Sequence, residues 1–248
     1  MYDVSTRKRA LALIAQGRSL NSVSRQTGIS RAAIRSWQQR LEPSPRMATP
    51  DPGPPADDHA YAYLLGPYLG DGCISAHPRG SGYYLRIACA DAWPGLIQEC
   101  REAITKVCPG IGVYAVQNDG YRMVTSYSPH WPSLFPQHGP GKKHERTIAL
   151  ASWQQDIVDA HPWDFIRGLI HSDGCRITNW TTRLVAGEQK RYEYPRYFFT
   201  NLSGDIIRLF TDTLDKVGVD WKQSNKHNIS IARKASVALM DTHVGPKH

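Results

Sequence analysis

The sequence of 248 residues contains no apolar run that approaches the roughly 20 residues of a membrane-spanning helix. Its five cysteines, at positions 73, 89, 100, 108 and 175, are odd in number and include no Cys-x-x-Cys pair. This pattern disfavours both a disulfide framework and a cysteine-based zinc site. The first nine residues also lack the apolar segment of a secretory signal. We therefore expect a cytoplasmic protein with reduced thiols and no membrane partner.

One stretch is nearly free of apolar side chains. Residues 42–58 instead contain Pro43, Pro45, Pro50, Pro52, Pro54 and Pro55. Such a segment can neither continue a helix nor fill a core, so it predicts a semi-rigid linker over residues 43–56. The linker separates residues 1–42 from residues 57–248, and Asp57 or Asp58 is suited to N-cap the helix that follows.

Acidic residues are scarce at the start of the chain. Residues 1–48 hold nine lysines and arginines but only two acids, a net charge of +7, whereas residues 59–248 hold 21 bases and 17 acids. A basic segment of this kind indicates a polyanionic partner such as nucleic acid. For any single arginine, ordinary solvated charge is the alternative.

Residues 1–42 predict a small all-α domain of three helices. Apolar spacing predicts a helix over residues 5–16, Ser19 can cap a second helix over 20–26, and Ser30 can cap a third helix that runs to residue 40. Gly28 supplies the turn between the last two helices, and Ile34 and Trp37 are expected to face inward.

This pattern resembles the helix-turn-helix heads of transposases, resolvases and many bacterial regulators. The resemblance implies that the third helix enters the major groove of DNA. Its exposed candidate readers are Arg31, Arg35, Gln38 and Gln39. A three-helix interaction module with solvated arginines is the alternative.

A nine-residue segment occurs twice in the rest of the chain. Residues 64–72 read LLGPYLGDG and residues 166–174 read IRGLIHSDG, so that Gly66 aligns with Gly168 and Asp71 with Asp173. A glycine inside a helix costs about 1 kcal/mol relative to alanine, which favours close approach of two helix backbones as the reason for both glycines. Packing the two helices side by side would bring Asp71 and Asp173 together.

Both segments resemble the motif of the LAGLIDADG homing endonucleases, because each matches it at the glycine, the acid and the terminal glycine. A single Gly-x-x-x-x-Asp-Gly also occurs as an ordinary helix C-cap, but two copies on a repeated scaffold favour the family. The resemblance spans about residues 57–248 and implies halves at about 57–150 and 151–248. The implied fold class is α+β, with pseudo-two-fold symmetry and curved antiparallel sheets, preceded by the helix-turn-helix domain.

The repeat extends beyond the motif. Strands are predicted at residues 83–89 and 197–200, helices ending at Val107 and Val217, and further strands at 121–126 and 229–232. Basic, glycine-containing segments follow at 134–144 and 239–248. A helix over residues 152–160 is expected to join the halves, and residues 182–195 are expected to form a long hairpin loop.

The paired acids are the candidate catalytic and metal-binding residues. Hydrolysis of a phosphodiester needs charge neutralisation and an activated water, and Mg²⁺ or another divalent cation on Asp71 and Asp173 can supply both. The resemblance also implies basic groups near the scissile phosphate, for which Lys142 or Lys143 and Lys247 are candidates. Contacts to the DNA backbone, or plain solvated charge, are alternatives for these lysines. His138 and His243 also match each other, and packing or capping is favoured over catalysis for both.

Candidate contacts to DNA grooves and phosphates are spread over the predicted strands. They are Arg86, Arg122, Arg183, Lys190, Arg191, Arg196, Lys222 and Lys226. A solvated surface is the alternative for any one of them.

Two functions are compatible with these features. The first is a monomeric, nucleoid-associated, Mg²⁺-dependent endonuclease that cuts double-stranded DNA at a specific site. The second is a transcription regulator that uses a LAGLIDADG-like domain only to bind DNA. Pro67 in the first motif helix removes a hydrogen bond to the Tyr63 carbonyl and is expected to alter the geometry there.

Overall fold

The computed structural model describes residues 2–39, 41, 53–78 and 80–248. Contacts divide the chain into two compact units, Met1–Thr49 and Pro50–His248. Most of the predicted linker, residues 43–52, lies outside the described residues, as does residue 40. Within the described part, no helix has the length and apolar character needed to cross a bilayer.

The described residues of the first unit form three helices, α1 (Val4–Ala15), α2 (Leu20–Thr27) and α3 (Arg31–Gln39). The side chain of Ser19 accepts a hydrogen bond from the Ser22 amide at 3.2 Å and so caps α2, as predicted. Gly28 ends α2 with a φ of +70°, a conformation that glycine adopts without steric cost.

A small core holds these helices together. Its fully or nearly buried members are Ala10, Val23, Ile29, Ile34 and Trp37. The inward orientation predicted for Ile34 and Trp37 is confirmed. Both side chains face the core because helical periodicity places residues three or four apart on one face of a helix.

The second unit repeats one α+β arrangement. The first half comprises α4 (Asp58–Leu69), β1 (Gly72–Ala76), β2 (Tyr83–Ala90), α5 (Pro94–Val107), β3 (Val113–Gln117), β4 (Tyr121–Ser128), α6 (Trp131–Leu134) and a 3₁₀ helix (Lys143–Glu145). The second comprises α7 (Ser152–Ala160), α8 (Pro162–Asp173), β5 (Gly174–Val185), β6 (Glu188–Thr200), α9 (Gly204–Lys216), β7 (Lys222–Asn225), β8 (Asn228–Ile231) and α10 (Lys234–His243).

Each half builds one four-stranded antiparallel sheet, in the order β1-β2-β4-β3 and β5-β6-β8-β7. The identical order confirms the repeated α+β class predicted from the sequence. The Asp57 carboxylate accepts a hydrogen bond from the Ala60 amide at 2.9 Å and thereby caps α4.

The expectation of a loop over residues 182–195 is wrong. β5 and β6 pair along their whole length, from Gly174 opposite Phe199 to Val185 opposite Glu188. Ala186 and Gly187, both at positive φ, form the two-residue turn. The strands pair through backbone hydrogen bonds, which need no buried side chain. The side chains at the end of the hairpin are all exposed, so the sequence there carries no burial pattern.

Each sheet packs on helices with one face, and most of the described side chains on its other face are exposed or half-buried. Leu85, Ile87 and Val124 are buried on the packed face of the first sheet, and Tyr197 and Phe199 on that of the second. Because side chains alternate along a strand, the neighbours of these residues lie on the opposite face, which we call the outer face. α4 lies at the centre of the core, and all its residues from Ala60 to Leu69 are buried.

Candidate active site

α4 and α8 cross at their motif glycines. A Cβ atom on Gly66 would lie 2.7 Å from the Cα of Gly168 and would overlap the backbone of Leu169. Only glycine permits this approach, so the close contact predicted from the two motif copies is confirmed. The crossing directs the C-terminal ends of both helices toward each other.

Asp71 follows α4, and Asp173 is the last residue of α8. Ser172 joins the two segments, because its Oγ donates to Asp71 Oδ2 at 2.9 Å and accepts from the Asp71 amide at 3.1 Å. On the other side, Asn201 Nδ2 donates to Asp173 Oδ2 at 2.6 Å. Within the described residues, neither carboxylate forms an ion pair closer than 4.0 Å. Acids at helix C-termini are opposed by the helix dipole, so this placement costs stability rather than adding to it.

The pKa of Asp173 is raised to about 6. Burial is the main cause, and the negative charge of Asp71 adds to it, while the Asn201 hydrogen bond and the positive charges of Lys143 and Lys247 act in the opposite direction. A second carboxylate therefore lies close enough to Asp173 to affect its ionisation. A bound cation would relieve this repulsion.

Lys143 extends from the 3₁₀ helix to the C-terminal end of α4. Its Nζ donates to the carbonyl oxygens of Tyr68, Gly70 and Gly72, at 3.4 Å for Gly70 and 2.5 Å for Gly72. Burial lowers the Lys143 pKa to about 8, although the nearby thiol of Cys73 and both aspartates counteract this effect. The ammonium group is thus bound by backbone dipoles close to the acids.

Lys247 has the corresponding position in the second half. Its Nζ donates to the carbonyl oxygen of Ser172 at 3.0 Å, at the end of α8. Burial lowers its pKa, and the charge of Asp71 is the largest opposing influence. Each half therefore contributes one acid and one lysine whose ammonium group binds the end of a motif helix.

Two cavities pair the acid of one half with the lysine of the other. The larger, of about 480 Å³, is lined by Asp173, Lys143 and Asn201. The smaller, of about 100 Å³, is lined by Asp71 and Lys247. Cys89 lies in the smaller cavity and corresponds in position to Asn201. Cys89 is two residues after Ile87, the strand partner of Gly72, and Asn201 is two residues after Phe199, the strand partner of Gly174. The two sides of the site are therefore related in position but different in chemistry.

Other predicted residues have ordinary packing roles or lie at the rim. Lys142 lies 3.6 Å from Glu145 and is largely exposed. His138 packs edge-on against Tyr83, and His243 stacks on Trp163 with ring centroids 4.2 Å apart. His138, Lys142 and Lys143 all line the larger cavity, but of the two lysines only Lys143 binds the carbonyl oxygens at the end of α4.

The residues present fit a divalent cation of the Mg²⁺ type. The two carboxylates offer hard oxygen ligands, and Mg²⁺ takes only one or two of these while keeping several waters. Ser172 and Asn201 restrict the orientation of Asp71 and Asp173, which is the usual contribution of residues behind metal ligands.

The outer faces of both sheets carry lysines and arginines that form no ion pair with a described carboxylate. Strand register places Arg86 on the outer face of the first sheet, and Arg183, Lys190, Arg196 and Lys222 on that of the second. None of these five forms an ion pair with a described carboxylate. Lys226 lies in the turn between β7 and β8 and is also without an ion pair among the described residues.

Two predicted DNA contacts lie on the opposite side. Arg122 shares a face with buried Val124 and lies 3.7 Å from Asp91. Arg191 shares a face with Tyr197, lies 3.0 Å from Glu193 and covers the ring of Trp180. Bases on the packed side thus have acidic partners, whereas those on the outer face do not.

The head unit presents its predicted readers to solvent. Arg31, Arg35, Gln38 and Gln39 are all exposed on α3. Arg7, by contrast, is buried against Trp37 and donates to the carbonyl oxygens of Tyr2 and Leu41. Part of the basic charge of this segment therefore has a structural role.

No protein-family model matches the chain, and no curated protein matches it. Among solved structures, it is similar to mesophilic variants of the homing endonuclease I-DmoI, with 16% identity, a TM-score of 0.49, and coverage of 75% of this chain and 90% of that one. It is also similar to the homing endonuclease I-WcaI bound to its DNA recognition sequence, with 13% identity, a TM-score of 0.49, and coverage of 77% and 82%. The chain is similar, too, to the LAGLIDADG meganuclease I-AabMI bound to uncleaved DNA, with 9% identity, a TM-score of 0.46, and coverage of 74% of this chain and 83% of that one. At these identities and TM-scores, the likeness carries no conclusion about the chemistry of this chain.

Sequence reasoning missed Ser172 and Asn201. Ser172 aligns with Gly70 between the motif copies, so a polar residue opposite a glycine was the available signal. Asn201 gave none, because it is 28 residues from Asp173 and reaches the carboxylate only through the pairing of β5 with β6.

Proposed function

We propose that this chain is a monomeric, metal-dependent endonuclease that cleaves both strands of double-stranded DNA at a specific site. The observation that carries the proposal is the convergence of Asp71 and Asp173 at the ends of two helices that cross backbone to backbone. One carboxylate from each half gives a pseudo-two-fold site, and duplex DNA has two strands related in the same way. Because a single chain supplies both acids, no second copy is required.

Asp71 and Asp173 would hold Mg²⁺ or a related divalent cation. When bound, the cation would neutralise charge on the phosphate and lower the pKa of a coordinated water. Ser172 orients Asp71, and Asn201 orients Asp173. Lys143 and Lys247 supply fixed positive charge beside the place where negative charge develops on the phosphate, and preorganised charge of this kind favours the transition state.

The lysines and arginines of the outer faces, which have no ion-pair partner among the described residues, support a DNA-binding surface. Lysine and arginine side chains that neutralise phosphates supply most of the affinity in such interfaces. Exposed aromatic residues lie among them, including Tyr127, Tyr192 and Tyr194. Arginine side chains can contact both phosphates and the edges of nucleobases, so Arg31 and Arg35, exposed on α3, would add a second contact region.

A regulator that binds DNA without cutting is the second candidate. It is favoured by the head, whose α3 presents four polar side chains that the fold of that unit does not bury. In a regulator the two aspartates would have no reaction to perform, and their replacement would leave function intact.

The deciding experiment incubates the full chain with a library of long duplexes in the presence of Mg²⁺ and maps the breaks. The variants Asp71→Asn and Asp173→Asn keep the size of the side chain but remove its charge, so cleavage should fall by at least about 100-fold, while binding without metal stays equal or tightens. Asp159→Asn is the matched control, because Asp159 pairs with Lys216 and precedes the start of α8, at the opposite end of that helix from Asp173. A wild-type protein that binds specific duplexes and leaves all of them intact would establish the regulator instead.

A further inference from the structure

A cluster of metal-ligating side chains lies at the other end of the motif helices. His59 is in the first turn of α4, His161 precedes α8, and Asp164 is in the first turn of α8. Each helix has 12 residues, so the cluster is separated from Asp71 and Asp173 by roughly 18 Å along the helix axes. It therefore does not belong to the candidate active site.

The three side chains converge. His59 Nδ1 lies 2.8 Å from Asp164 Oδ2, and the rings of His59 and His161 have centroids 3.8 Å apart with planes tilted by 43°. One potential ligand atom from each residue lies within 4.8 Å of those of the other two. Among the described residues, this is the one group of three or more His, Cys, Asp or Glu side chains with such geometry.

We propose that His59, His161 and Asp164 bind a transition-metal ion of the Zn²⁺ type. Two imidazole nitrogens and one carboxylate oxygen are a ligand set that suits Zn²⁺, whereas Mg²⁺ prefers oxygen ligands alone. Zn–N and Zn–O bonds of about 2.0–2.1 Å in a tetrahedron place ligand atoms roughly 3.3 Å apart, so the present side chains need only small adjustments. Solvent has access to the fourth position, because His59 is exposed.

The surroundings support a cation. Arg167 lies 3.6 Å from Asp164 Oδ1 and leaves Oδ2 directed at His59. Asp57, Glu99 and Glu102 line the adjoining cavity, together with the bases Lys106 and Arg167. The positive ends of two helix dipoles act against a cation here, but carboxylates at both helix starts offset them and the effect is confined to the first turn.

The proposed site links the two halves of the second unit. His59 comes from the first half, while His161 and Asp164 come from the second. A metal bound by all three would cross-link the starts of the central helices and stabilise their pairing, independently of any cation on Asp71 and Asp173. The role is therefore structural, and it does not rest on the proposed nuclease activity.

The test measures the melting temperature of the full chain with and without Zn²⁺, and the visible absorption of the protein with Co²⁺. Zn²⁺ at about 100 times its Kd should raise the melting temperature by roughly 5–10 °C. Any shift with Mg²⁺, which would come from Asp71 and Asp173, should be equal in the wild type and in His59→Ala. Co²⁺ should give the intense visible bands of a four-coordinate ion.

The variants His59→Ala, His161→Ala and Asp164→Asn should each lose most of the Zn²⁺ shift and the Co²⁺ bands, while far-UV circular dichroism reports that they fold. His227→Ala is the matched control, since His227 lies in the β7–β8 turn near the opposite end of α8, and it should behave as the wild type. An unshifted wild-type protein would overturn the proposal. So would a shift that persists in all three variants, which would assign the metal to other ligands such as the exposed thiols of Cys73 and Cys175.

Discussion

Gly168 lies against the carbonyl oxygen of Tyr63, the group that Pro67 leaves without a donor in α4. A Cβ on Gly168 would overlap that oxygen and would lie 3.0 Å from Pro67 Cδ. The glycine Cα–H bond points in the same direction, so a weak Cα–H···O contact partly satisfies the buried carbonyl. Pro67 therefore interrupts hydrogen bonding within α4 where the neighbouring helix is closest, and α4 continues to Leu69.

Replacing Gly168 by alanine should be strongly destabilising. The added methyl overlaps backbone rather than a flexible side chain, so the helices must separate, and overpacking of this kind costs about 1–3 kcal/mol or more. Urea unfolding of the full chain gives the free energy directly. Gly204→Ala is the control, because nothing lies within 4 Å of its Cβ position, and it should change stability by less than about 1 kcal/mol.

Replacing Asp173 by asparagine should stabilise the protein at neutral pH. The pKa of Asp173 is about 6 in the folded chain against an ordinary value of 3.8, so the folded state disfavours the ionised form. Relative to a neutral side chain, ionised Asp173 costs up to roughly 3 kcal/mol above pH 6. As the pH rises through this range, the wild type loses stability relative to the variant. The difference should shrink as the pH falls below 6 and should disappear at about pH 3, where Asp173 is protonated in both states.

The control for this pH dependence is Asp241→Asn. Arg176 donates two hydrogen bonds to Asp241, at 2.6 and 2.9 Å, and holds its pKa below the usual range. This variant should therefore lose stability at neutral pH, with the opposite sign. Thermal melts from pH 3 to 8 would show both trends, and parallel curves for the two variants would contradict the roles assigned to these acids.

The elements with strong apolar patterns could be predicted from the sequence. β2, α5, β4, α7, α9 and β8 lie within a few residues of their predicted ranges, because alternation or helical spacing marks each of them. The outer part of the β5–β6 hairpin could not be predicted. It buries no side chain between residues 188 and 195, so its pairing leaves no periodic signal.

At the candidate site, the sequence predicts the acids but not their environment. The repeated motif places Asp71 and Asp173 together because two glycines allow the helices to meet. Lys142 and Lys143 are equivalent in sequence, and only the 3₁₀ turn that starts at Lys143 decides which ammonium group reaches the end of α4. The readers proposed on α3 remain predictions.

Replacing Lys143 by methionine should slow cleavage by roughly 100-fold or more, since one preorganised positive charge is removed. The effect should be unequal between the strands, because Lys143 shares a cavity with Asp173 whereas Lys247 shares one with Asp71. Nicked duplex should therefore accumulate. In the wild type, cleavage should decline above about pH 8, where Lys143 loses its proton.

Lys142→Met is the control for this variant, because Lys142 is exposed and pairs only with Glu145. It should retain activity within about threefold, since exposed pairs of this kind contribute little. Lys143 also binds three carbonyl oxygens, so both variants need a melting temperature. A slow Lys143→Met enzyme that keeps the same decline above pH 8 would show that another group titrates there.

The final prediction concerns the exposed arginines and lysines of the first unit. Arg31 and Arg35 lie on α3, whereas Lys8 and Arg9 lie on α1, and all four are exposed. The double variant Arg31→Ala/Arg35→Ala and the control Lys8→Ala/Arg9→Ala thus remove equal charge from different helices of one small unit.

If α3 enters the major groove, the α3 variant should lose affinity by about 1–3 kcal/mol per lost base contact and should relax sequence preference. The α1 variant should weaken binding to all duplexes alike and reduce the slope of log K against log salt by at most about 0.9 per lost phosphate contact. Binding measured at several salt concentrations, with matched and scrambled duplexes, separates the two effects. Equal losses from both variants would mean that the head contributes charge alone, and that α3 reads no bases.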